Sequence, residues 1–144
     1  MTTTLITIRD RVETHLSDST NLTYSTTVLD EAIRSALAEI SAVQGTALTL
    51  SGLDTAASTT LPALDDFALV IGSVAYALSF RMTGRAEDAL PQAAEADTLT
   101  AMHKRFRTHF DLLLNAIKRR LLQSSSDHPY SEWDWDEDYH WDED

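Results

Sequence analysis

At 144 residues with no cysteine, the chain has room for one domain and an extension; a disulfide framework, a thiol nucleophile and a thiolate metal site are all excluded. Its 23 acidic and 11 basic residues leave a net charge of −12, so a broadly basic surface for nucleic acid is excluded too. The charge is uneven: nine of the acids and none of the bases fall in residues 124–144, so residues 1–123 carry only −3.

The opening MTTTLITIRDR lacks the basic start and apolar run of a secretory signal. Residues 4–16 read as a short helix, with Leu5, Ile8, Val12 and Leu16 on one face and Arg9, Asp10 and Glu13 opposite. Residues 17–24 are a polar connector. A second helix starts with Thr27 as cap and Asp30 three positions on, a capping-box-like opening. Leu29, Ala32, Ile33, Ala36, Leu37, Ile40 and Val43 form its apolar face, and Gly45 is its terminator.

Residues 46–62 are rich in threonine and other small residues and have no helical period. Residues 46–50 and 59–61 read as two short strands of a hairpin or extended arm with SGLD as turn; an irregular surface loop is the other reading. A third helix is expected over residues 62–82, with Pro62 in its first turn and Asp65 and Asp66 at the positive end of its dipole. Phe67, Val70, Ile71, Val74, Leu78 and Met82 form its main stripe, the rest is apolar too, and Gly84 ends it. The uncharged run 67–80 is too short to span a bilayer and reads as a buried central helix, with no membrane partner expected.

After Leu90-Pro91, residues 92–122 read as one long helix, with Leu99, Met102, Phe106, Phe110, Leu113, Ile117 and Leu121 in register. Thirty-one residues extend about 45 Å, which suggests a helix that projects or packs on another copy. It carries six of the eleven bases: Lys104, Arg105, Arg107, Lys118, Arg119 and Arg120. They are either a stripe for nucleic acid or an acidic partner, or a solvated face. The length of the helix excludes a compact recognition helix of the helix-turn-helix kind.

The last 21 residues, SSSDHPYSEWDWDEDYHWDED, hold all three tryptophans. Carboxylates at this density repel one another and have no cation nearby, so the segment is not expected to fold alone. It reads as a solubilising extension, as a mimic of DNA charge, or as a peptide that orders on a partner. The last is preferred, because Tyr130, Trp133, Trp135, Tyr139 and Trp141 are suited to fill pockets on a partner with a basic rim. His128 and His140 lack the spacing and turn of a metal loop, and His103 and His109 read as helix-packing residues. With no phosphate loop, HExxH or nucleophile elbow, no catalytic residue, metal or cofactor is expected and the chain reads as a non-enzyme.

Tyr24-Ser25, Leu29, Ala32-Ile33, Ala36 and Ile40 spell an aromatic-Ser-x3-Leu-x2-Ala-Ile-x2-Ala-x3-Ile pattern, followed by Leu61-Pro62 and Ala75-Tyr76-Ala77-Leu78. Over residues 4–122 this order resembles the head-to-tail connector (adaptor, neck) family of long-tailed double-stranded DNA bacteriophages. The residues and the resemblance together give an all-α fold: a helical bundle of about four helices with a long C-terminal helix, a small extended hairpin-like arm at 46–62, and an acidic tail, disordered or ordered by a partner, whose Trp-Asp repetition is not part of the family pattern. The resemblance implies a connector domain at 1–123 and a docking tail at 124–144. It further implies a virion protein, assembled in the host cytoplasm, forming a cyclic ring of roughly a dozen copies beneath the portal protein. Such a ring extends the DNA channel, passes double-stranded DNA without sequence-specific binding, and seats the next neck or tail protein, a stopper or tail terminator. By position the tail anchors to the portal, and the basic stripe faces protein. The alternative is a small acidic inhibitor acting through a DNA-mimicking tail.

Overall fold

Apolar residues recurring every three and four positions set the architecture, and the computed structural model describes residues 2–88 and 93–124. The described residues are all-α, with helices α1 (Leu5–Leu16), α2 (Thr26–Gln44), α3 (Asp66–Asp88) and α4 (Ala93–Gln123). They contain no strand, only an isolated parallel bridge between Thr4 and Ser51. α3 packs against each of the other three helices, and one apolar core is shared by all four.

Thr4 caps α1 by accepting the Thr7 N–H, and Leu5, Ile8 and Val12 are buried beneath it. The helix ends at Ser17 in the left-handed region (φ 55°), with the Asp18 N–H donating to the Glu13 carbonyl at 3.1 Å. The connector is built around the buried Asp18. Its carboxylate accepts the N–H groups of Leu22 (3.2 Å), Thr23 (3.0 Å) and Tyr24 (2.7 Å). That folds the loop back and buries the Tyr24 ring, over which the Arg81 guanidinium sits at 5.4 Å.

The cap of α2 is Ser25, not Thr27. With Tyr24 pinned in the core, the chain enters the helix at Ser25, whose hydroxyl accepts the Val28 N–H. Asp30 is thereby left out of any capping box and receives Arg9 of α1 at 2.6 Å. The apolar face from Leu29 to Ile40 is buried, and Gly45 closes the helix at φ 71°.

Residues 46–62 differ from the strand-paired hairpin expected. Thr60 N–H does donate to the Thr49 carbonyl at 3.0 Å, so the two limbs meet. The neighbouring bonds, however, run through hydroxyls: Thr49 N–H to Thr60 Oγ1 at 2.8 Å and Ser51 N–H to Thr59 Oγ1 at 2.9 Å. Threonine and serine side chains replace the ladder that two strands would need. Leu50, Leu53 and Leu61 are buried, which ties the segment to the body, and Arg34 of α2 grips Asp54 at 2.6 Å.

Pro62 precedes a 3₁₀ turn, Ala63–Asp65, instead of opening the helix, and α3 runs through Gly84 to Asp88 instead of stopping there. By length and hydropathy residues Ala63–Gly84 are able to cross a bilayer, unlike the shorter uncharged run considered alone. Here that apolarity is used internally: Leu69, Val70, Ile71, Val74 and Leu78 are at most 1% exposed. Each such side chain contributes about 1.5–3 kcal/mol on removal from water. Phe67, placed in the main stripe by spacing, is instead 42% exposed.

α4 buries Leu99, Phe110, Leu114 and Ile117, with Met102, Phe106, Leu113 and Leu121 packed beside them. Its apolar face thus meets the body along almost its whole length, so within the described residues it does not project.

Candidate functional site

The six bases of α4 do not form one stripe. Contacts divide them: Arg107 and Arg120 reach Glu39 of α2 and Asp65 of the 3₁₀ turn, and the other four are exposed.

Arg107 reaches Glu39 of α2 with two parallel bonds, Nη1 to Oε1 at 2.6 Å and Nη2 to Oε2 at 2.9 Å, and holds Asp111 one turn on at 3.0 Å. The Tyr76 hydroxyl of α3 donates to the same Glu39 carboxylate. The guanidinium also lies 5.4 Å from the Phe110 ring centre and 5.9 Å from that of Tyr76. The Arg107 hydrogen bonds hold the Glu39 carboxyl below the usual carboxylate range. Burial, then the Glu39 bond, pushes the Tyr76 phenol up. The Glu39 bonds likewise raise Arg107. The three side chains join α2, α3 and α4.

Arg120 donates from Nη2 to both oxygens of Asp65 at 2.9 Å, and Gln44 Nε2 donates to Oδ2 at 2.6 Å. Asp65 is 1% exposed. It is therefore a buried carboxylate joining α2, the 3₁₀ turn and α4, where the sequence suggested a partner for the helix dipole. Its neighbour Asp66 receives the Thr3 hydroxyl.

Lys104, Arg105, Lys118 and Arg119 are exposed and make no ion pair among the described residues. On the same side α4 exposes Leu112 (63%) and Leu122 (41%). Arg105, Leu112 and Arg119 follow one another at intervals of seven, hence nearly in line, and Leu122 is one turn beyond Lys118. Spacing alone had not singled out Leu112 and Leu122. The available signal was that both fall outside the apolar register of the helix.

His109 touches the Phe67 ring edge-on at 5.6 Å and is otherwise exposed. Among the described residues no three His, Asp or Glu side chains cluster to hold a metal. The docking residues read from the sequence, Tyr130, Trp133, Trp135, Tyr139 and Trp141, lie outside the described residues, as do His128 and His140. What the described geometry offers chemically is a binding face: positive charge around two exposed leucines, on a helix held to the body by ion pairs at its middle and near its C-terminal end. No family model, no curated protein and no solved structure matches the chain.

Proposed function

We propose that this chain is a head–tail connector of a long-tailed double-stranded DNA bacteriophage, a structural and non-enzymatic protein of the virion neck. The supporting observation is the part played by the residues that carry the resemblance. Ser25 caps α2, Tyr24 is buried under Arg81, and Leu29, Ala32, Ile33, Ala36 and Ile40 are fully buried. From Tyr24 to Ile40 every member of the pattern is used in the fold, a stronger basis than the same letters on a surface.

In this reading a bundle of four helices is the ring subunit, with roughly a dozen copies in cyclic symmetry beneath the portal. The segment 46–62 is the arm. Its three buried leucines keep it on its own subunit, so a neighbouring copy meets its outer face, where Asp54, Thr55, Ala57 and Ser58 are exposed. Residues 124–144 anchor to the portal through their aromatics. Many copies of a weak peptide on one ring gain avidity without any single strong contact. The ring extends the channel for DNA and seats the stopper or tail terminator.

The test is binding to the portal of the same virus, using the full-length chain and a chain ending at Gln123, followed by sedimentation and imaging. The expected result is a ring on the portal that is lost on truncation. A ring that survives truncation keeps the connector role and removes the tail as anchor. No ring with the full-length chain, together with competition against DNA for a basic protein, turns the assignment to an acidic inhibitor.

A further inference from the structure

α4 presents to solvent four cations that are unpaired among the described residues, and the chain continues from its end into the most acidic part of the molecule. Residues 125–144 contain nine carboxylates, no Lys or Arg, and three tryptophans. Lys104, Arg105, Lys118 and Arg119 are exposed without ion pairs among the described residues, while Arg107 and Arg120 are already taken by Glu39 and Asp65. Leu112 and Leu122 are the exposed apolar side chains between and beside these cations.

We infer that the outer face of α4 is the resting dock of the chain's own acidic tail: residues 125–144 double back along the helix they follow, carboxylates on the four cations and aromatic rings on Leu112 and Leu122. Reach permits it. From Ser124 back to Lys104 is 20 residues of helix, about 30 Å, and 20 residues of extended chain span about 66 Å. Tethering places the tail at an effective concentration in the millimolar range, ahead of free anions or a second copy. Charge selects the occupant: nine carboxylates with no cation of their own meet the four described cations of α4 that lack an anion.

The consequence is regulatory. A tail held on its own helix is withheld from other basic surfaces, and a partner captures it only by outcompeting α4. This contact rests on α4 and the tail alone, whatever partner takes the tail later, so its failure and that of the connector assignment are separate results.

All three tryptophans lie in the tail, so tryptophan emission of the intact chain reports on it directly. Acrylamide quenching is measured on the full-length chain, on the synthetic peptide 125–144, and on a full-length Lys104→Glu/Arg105→Glu/Lys118→Glu/Arg119→Glu variant whose helicity is checked by far-ultraviolet circular dichroism. The expected result is a several-fold lower quenching constant for the wild-type chain than for the peptide, independent of protein concentration. It should rise to the peptide value in the variant. It should rise likewise in the unmutated chain at 1 M salt, where the Debye length falls to about 3 Å; that arm needs no fold control. Quenching of the wild-type chain equal to that of the peptide overturns the inference. So does protection that survives both charge reversal and salt, which puts the tail elsewhere. Protection that grows with protein concentration overturns the intramolecular form, giving the face to the tail of a second copy.

Discussion

Phe110 of α4 occupies the space that a side chain on Gly72 of α3 would need. A Cβ built at Gly72 would lie 2.6 Å from both Cε2 and Cζ of the Phe110 ring, which is itself fully buried. The two longest helices therefore pack here with only a hydrogen atom on Gly72 facing the ring. Gly72→Ala gains about 1 kcal/mol in helix propensity and loses about 1–3 kcal/mol to overpacking. The expected outcome is a net loss of up to about 2 kcal/mol in urea unfolding. Combining it with Phe110→Leu should cost less than the two changes summed, because the sites share one contact.

The bases of α4 should separate into two groups by stability. Arg120→Ala leaves the carboxylate of Asp65 buried with only Gln44 beside it, a loss of about 3–5 kcal/mol. Arg119→Ala, one residue earlier on the exposed face, should stay within about 0.5 kcal/mol of wild type. Equal effects from the two, measured by denaturant midpoint, would show that Asp65 is not held as described.

Glu39 should make stability pH-dependent in acid. Its carboxyl is held below the ordinary value, chiefly by the Arg107 hydrogen bonds, so the folded state favours the charged form. That contribution is complete above the unfolded value of about 4.3 and is lost as pH falls through the lower folded value. Tyr76 is raised, so its contribution is complete below about 10 and is lost as pH climbs through the higher folded value. Glu39→Gln should weaken the fold by about 1–3 kcal/mol at neutral pH and flatten the acid limb of the stability profile. An unchanged acid limb would place the sensitivity in another carboxylate.

Asp18 should be the residue on which the first connector depends. Its carboxylate serves three backbone N–H groups in a row, and Tyr24 is buried behind them. Asp18→Ala is expected to cost about 1–3 kcal/mol, since the buried Tyr24 N–H and two partly buried N–H groups lose their acceptor. Faster hydrogen exchange at Leu22, Thr23 and Tyr24 should accompany it. Exchange that is unchanged at these amides would mean the loop holds its shape without the carboxylate.

Much of the fold was legible because helix periodicity is local. The apolar registers of α1, α2 and α4, the stop at Gly45 and the central place of α3 all follow from which residues recur every three or four positions. Ends were less legible. Thr27 was read as the cap of α2, and Ser25 takes that place because Tyr24 is buried, held by Asp18. Gly84 looked like a stop, yet a glycine in a helix costs only about 1 kcal/mol, and α3 continues past it.

The two meanings of the α4 bases were not in the sequence at all. Lys118, Arg119 and Arg120 are consecutive cations, identical in any count of charge. By itself the chain determined that a long basic helix leads into an acidic, tryptophan-rich end, because composition and periodicity need no partner to be read. Only the tertiary structure decided that Arg107 and Arg120 hold the helix to Glu39 and Asp65 while four neighbours stay open to solvent. The reason is physical: an ion pair depends on where two distant residues meet in space. Glu39 and Arg107, like Asp65 and Arg120, meet only after three helices have packed around α3.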